Sequence, residues 1–306
     1  MLCTIAMLLA SGSSNAAAAA PASTVQSWYQ QVLTTLSPLQ TSLVAGVQAA
    51  TKWQAGSVSA AAAHRQIGRT VTDLTKVSGN LAHLAVPAGA AGARQDYVAA
   101  LNLYTEAFRM AGAATQLPSG ALVRQLQRSY ERIRELGDET FDQGTALLAP
   151  ALGTAVSAAD VQAAARLPDW TSLGLAPGRP LVTHWSGTTA EPSGSQSPSA
   201  WTLAVQQADA PSQTVVRSAA AAGHPNESKC RALAMTLNEA EVRLSSVPVP
   251  TTNPTASGVL RLGLLVDAEA LLSAEASDAS ASGPASTLRR IARSLEETGA
   301  ALRTAT

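Results

Sequence analysis

The chain has 306 residues, 46% of them hydrophobic, and is long and apolar enough to bury a substantial core. Lys plus Arg number 21, Asp plus Glu number 21, and only 14% of residues are charged. So balanced a chain has no electrostatic footprint for nucleic acid or for an anionic membrane surface, and both are set aside as partners.

The first element in chain order is an uncharged apolar run, Leu2 to Ala10, followed by small residues as far as Thr24. The run has the length of a signal-sequence core and falls short of the roughly 20 apolar residues that a membrane span needs. Residues 1–22 are therefore expected to be an export signal, cleaved somewhere in 16–23 where small-x-small sites fall. The expected location is extracellular or in the cell envelope, with no transmembrane segment in the mature chain. Cys3 falls in the signal, which leaves Cys230 alone in the mature chain and makes an intramolecular disulfide impossible. Cys230 reads as a small buried hydrophobe.

Residues 24–150 repeat their apolar positions at three and four, the period of helices. A first helix carries Trp28, Val32, Leu36, Leu39, Leu43 and Val47, with Ser37 and Pro38 kinking or restarting it. A second carries Ile67, Val71, Leu74, Leu81 and Leu84, and is expected to stop at Pro87. A third carries Tyr97, Leu101, Tyr104 and Phe108, and a fourth Leu122, Leu126, Tyr130, Ile133, Phe141 and Leu148. Four helices with short turns predict an up-and-down bundle.

Residues 151–200 change character. A short helical piece is followed by an apolar strap with Trp170, Leu173, Leu175, Leu181 and Trp185. A Pro/Gly/Ser-rich stretch from Gly187 to Ala200 then has almost nothing to bury and is expected to be a disordered tether.

Residues 201–306 return to the helical period. An offset of 163 pairs Ile67 with Cys230, Leu74 with Leu237, Leu81 with Leu244, Leu101 with Leu264 and Phe108 with Leu271. An offset of 173 pairs Trp28 with Trp201 and Pro38 with Pro211, and one of 162 pairs Leu126 with Leu288 and Ile133 with Leu295. The predicted fold class is thus all-α: two tandem related four-helix up-and-down bundles, 24–150 and 201–306, joined by a Pro/Gly/Ser-rich linker.

The patterns HExxH, GxSxG, SxxK, CxxC, GxGxxG and the P-loop do not occur, and no Glu is followed at three by His as di-iron bundles require. No metal ligand set and no cofactor is expected. The four histidines, His64, His83, His184 and His224, read as solvated or locally hydrogen-bonded. On the fourth helix Glu131, Glu135, Asp138, Glu139 and Asp142 alternate with Arg128, Arg132 and Arg134, which reads as a solvated, salt-bridged face. The candidate ligand-binding residues are Tyr97, Tyr104 and Tyr130 of the first bundle, with Trp170 and Trp185 of the strap. Two functions follow: an exported non-catalytic helical binding or scaffold module that takes a protein, an envelope polymer or a small ligand between its bundles; or a small-ligand carrier or enzyme with a site lined by the tyrosines of the first bundle. The first is the expectation.

Overall fold

The computed structural model describes residues 22–152, 227–245, 256–278 and 284–304. The expected export signal, the strap and tether with Trp170 and Trp185, and the first helix expected of the second unit lie outside the described residues. Among the described residues there are eight helices and no strand, so this part of the chain is all-α, and no helix there is long and apolar enough to cross a membrane.

Helices α1 (Ala22–Leu36) and α2 (Leu39–Gln54) are two elements rather than one kinked rod. Pro38, at φ −67° and ψ −19°, stands just before Leu39; its missing N–H and fixed φ suit a helix start and not an interior. Gly56 turns the chain at φ +70°, where a side chain would be strained. Helix α3 (Ala60–Ala82) opens under Ser59, whose hydroxyl accepts from the amide of Ala62 at 3.3 Å. It ends well before Pro87. Leu84 leaves the helix yet stays packed on the core, and Arg94 donates to the released carbonyls of Ala82 and Leu84 at 3.4 and 3.5 Å. Helices α4 (Ala91–Ala114) and α5 (Ala121–Leu152) follow, then α6 (Glu227–Ser245), α7 (Ala256–Asp278) and α8 (Pro284–Thr304).

Helix α4 packs on α3, α5 and α8, and α5 packs on α4, α7 and α1, while α7 also packs on α6 and α8. One apolar core runs through both segments of the chain: Leu36, Leu43, Ile67, Leu74, Leu101 and Phe108 share it with Leu265, Val266, Ala270, Leu288, Ile291 and Leu295. A smaller cluster joins α6 to α7 through Ala234, Leu237, Ala240, Leu264, Ala268 and Leu271. The apolar pairs Ile67 with Cys230, Leu74 with Leu237, Leu101 with Leu264, Phe108 with Leu271, Leu126 with Leu288 and Ile133 with Leu295 are buried in both members.

The α4–α5 crossing explains the tyrosines. Gly144 and Gly137 of α5 lie under the rings of Tyr97 and Tyr104 of α4, where an added Cβ would stand 3.0 and 2.9 Å from ring carbons. Each hydroxyl then reaches the residue after its glycine: Tyr97 to Thr145 at 2.9 Å, and Tyr104 donating to Asp138. Seven residues separate both the tyrosines and the glycines, two helical turns, so the contact repeats along the antiparallel pair.

The solvated, salt-bridged face expected on the fourth helix forms only in part, with Arg132 and Glu135 paired at 3.2 Å. Glu131 and Arg128 are exposed, but Arg134, Asp138 and Glu139 are buried, because α5 is flanked by α4, α7 and α1 and has little circumference left for water. Arg134 pairs with Asp138 at 2.8 Å inside the protein, and Asp138 is shared with Tyr104.

Candidate functional site

Tyr97, Tyr104 and Tyr130 are all buried. Tyr97 stacks on Trp28 at 6.5 Å between ring centroids and leans on Phe141 at 4.6 Å, and Tyr130 meets Phe108 edge-on at 5.7 Å. Burial raises all three phenols well above their ordinary range, so they are neutral; Tyr97 and Tyr104 hydrogen-bond through their hydroxyls. The structure spaces the three along the α4–α5 crossing, each with its own partners, and covers the ring faces of Tyr97 and Tyr104 with α5. Trp170 and Trp185 lie outside the described residues.

The carboxyl groups are the less expected feature. Burial raises Asp96 to about 7, offset in part by the neighbouring Gln143 amide. Burial and then the charge of Asp138 raise Asp142 to about 7. Two more sit where the segments meet. Glu106 of α4 is raised by burial and held by Arg109, by a hydrogen bond to Ser294 and by Arg290, the last two on α8. Glu269 of α7 is raised by burial to about 7 and held by a hydrogen bond to Ser129 and by Arg132, both on α5, against the charge of Glu135. Each glutamate thus crosses from its own segment to a serine and an arginine of the other, and Glu269 is Glu106 displaced by the offset of 163 that pairs the apolar stripes.

His64 uses Nδ1 at 3.1 Å from the Gly112 carbonyl and 3.2 Å from the Thr115 hydroxyl, so it closes the end of α4 as a local hydrogen-bonding group. Among the described residues no group of three or more His, Cys, Asp or Glu is placed to hold a metal ion.

Two clefts open at the junction of the segments. The larger, about 430 Å³, lies between the end of α3, the first half of α4, and α8. Ala82, Ala91, Val98 and Ala99 give it an apolar part, and Arg94, Gln95, Asn102, Ser294, Glu297 and Thr298 supply donors and acceptors. The smaller, about 330 Å³, lies between α5, α6 and α7 and is lined by Gln125, Arg128, Ser129, Arg132, Arg231, Glu269 and Leu272. Neither cleft is lined by a tyrosine. The sequence marks Arg128 and Arg132 only as members of a charged face and does not mark the others, because the lining sits on polar flanks of three separate helices and no linear spacing makes them neighbours.

No family model, no curated protein and no solved structure matches the chain.

Proposed function

We propose that the chain is an exported, non-catalytic helical binding or scaffold module of the cell envelope or extracellular space, built from two diverged copies of one helical unit, and that it takes its partner in the groove where the copies meet. The observation that carries this reading is the cleft of about 430 Å³ between α3, α4 and α8, which offers hydrogen-bonding groups from both segments around an apolar patch. The tyrosines favour it over a carrier site inside the first bundle, because their rings are spent on α4–α5 packing.

The duplication draws support from contacts that periodicity alone would not produce. Gly137 approaches the Tyr104 ring and the Ala100 carbonyl, 3.4 Å from its would-be Cβ, while Gly299 approaches the Asp267 carboxyl and the Gly263 carbonyl at 3.1 Å. Adding 163 to Ala100 and Tyr104 gives Gly263 and Asp267, and adding 162 to Gly137 gives Gly299, the same offsets that align the leucines. The crossings between segments also exchange: α4 on α8 becomes α7 on α5 when the copies are swapped.

The export half of the proposal is tested by N-terminal sequencing of secreted protein, which should begin between Ala16 and Thr24; Met1 intact on protein kept in the cytosol would refute it. The groove half is tested by Glu297→Trp, which sets a bulky ring on an exposed position of the larger cleft. Wild-type protein should co-fractionate with an envelope component and the variant should be released while still exported. Equal retention of both removes the groove as the contact surface.

A further inference from the structure

We propose that the cleft between α5, α6 and α7 is a binding site for a tetrahedral dianion, a phosphate or sulfate group, gripped by Arg128, Arg132 and Arg231. This goes beyond the reading of the larger groove, shares no lining residue with it, and does not depend on it.

Arg128 and Arg132 stand four residues apart on one face of α5, and Arg231 faces them from α6 across a space of about 330 Å³. Three guanidinium groups around one opening would repel one another unless something anionic stood between or behind them. Part of that charge is already balanced from behind. Arg132 is held by Glu135 at 3.2 Å and faces Glu139 at 3.9 Å, and Arg231 is held by Glu275. Each of those contacts uses one terminal nitrogen, and a guanidinium has five N–H donors, so the pairs orient the forks without exhausting them. Arg128 is exposed and has no carboxylate partner among the described residues. Gln125 adds a neutral donor, and Leu272 offers an apolar wall for a small substituent on the anion. The arrangement of two arginines from one side and one from the other suits a group with oxygens pointing in several directions better than a flat carboxylate.

Glu269 completes the lining and supplies a control on affinity. The groups facing it are Ser129, Arg132 and Glu135 of α5, with Arg231 of α6 in the same lining and itself paired with Glu275. Burial brings its carboxyl to about 7, so the lining loses a negative charge as pH falls through that value, and an anion should bind more tightly on the acid side.

The test is calorimetric titration of the full chain with sodium sulfate at constant ionic strength and pH 6, sulfate being chosen because its charge is fixed over the range used. Saturable binding of one sulfate is expected, weakened at least tenfold by Arg128→Gln and by Arg231→Gln, both on exposed side chains, and unchanged by Arg124→Gln, an exposed arginine of the same helix outside the cleft. Raising pH to 8 should weaken binding, and Glu269→Gln should flatten that dependence while circular dichroism shows the fold retained. Inorganic phosphate and phenyl phosphate, compared at pH 8 where both are dianions, form the second arm: tighter binding of the ester assigns the site to a phosphomonoester lying on Leu272, and equal binding assigns it to the free oxyanion. No saturable heat with sulfate or either phosphate, or equal loss with Arg124→Gln and Arg128→Gln, would overturn the proposal.

Discussion

Glycine at position 46 shows how a single missing side chain sets a helix–helix distance. A Cβ there would stand 2.7 Å from both the Phe108 ring and the Thr70 hydroxyl, and that hydroxyl is committed to the Ser42 carbonyl at 2.9 Å. Gly68 and Gly79, on exposed positions of α3, have nothing within 4 Å of the same atom. Gly46→Ala should therefore cost about 1–3 kcal/mol by overpacking, despite the gain in helix propensity. Gly68→Ala should instead stabilise by roughly 0.5–1 kcal/mol. Denaturant midpoints of the two variants should move in opposite directions. Cys230 is the second informative residue. It is buried at the position that pairs with Ile67, on the same α6 stripe as Ala234 and Leu237. Thiol reagents should label it only in denaturant, and Cys230→Ser should destabilise by roughly 1–3 kcal/mol, as a hydroxyl would be buried in place of a weakly polar sulfur. Rapid labelling of native protein would place the sulfur at the surface and break the register of the proposed duplication.

Among the elements, α5 carries the most conflicting demands. Its 32 residues must present glycines to the tyrosines of α4, apolar residues to the core, and a buried ion pair besides. A buried pair is costly to desolvate and costlier to break; this one lies within α5, and it is the second contact of Asp138, with Tyr104, that ties α5 to α4. The reciprocal glutamates act between elements. In the unfolded chain Glu269, Asp96 and Asp142 titrate near their ordinary values of 4.5, 3.8 and 3.8, and in the fold at about 7. The folded state thus holds their protons more tightly. Their contribution to stability is fully present below about 4 and is lost as pH rises toward and through 7. Urea midpoints should accordingly be higher at pH 5 than at pH 8, and Glu269→Gln should reduce the difference. A midpoint that rises between pH 5 and 8 would show that these carboxyls are solvated or paired in the native state.

For the whole molecule, the continuous core predicts how the chain unfolds. Leu295 of α8 is fully buried in the same cluster as Leu36 and Leu74, so the two segments should lose structure together. Leu295→Ala should cost about 2–5 kcal/mol and shift one transition seen alike by tryptophan fluorescence and by helical circular dichroism. Two separated transitions, only one of them moved by the substitution, would mean that the segments fold as independent bodies.

The apolar period of three and four was enough to read helices at Trp28–Leu36, Ile67–Leu81, Tyr97–Phe108 and Leu126–Leu148, and to place Cys230, Leu264 and Leu288 inside, because amphipathic burial writes itself into local spacing. Pro38 likewise marked the break between α1 and α2 through its own covalent geometry. What spacing could not decide was which helices meet. Arg134, Asp138 and Glu139 look like a solvated face until α4, α7 and α1 surround α5, and Glu106 and Glu269 look like ordinary surface acids until α8 and α5 cover them. The same limit hid both clefts, whose walls come from three helices each. A helix records in its sequence which stripe avoids water, but the identity of its neighbours depends on shape and charge matching between stripes far apart in the chain, and that only the tertiary structure decides.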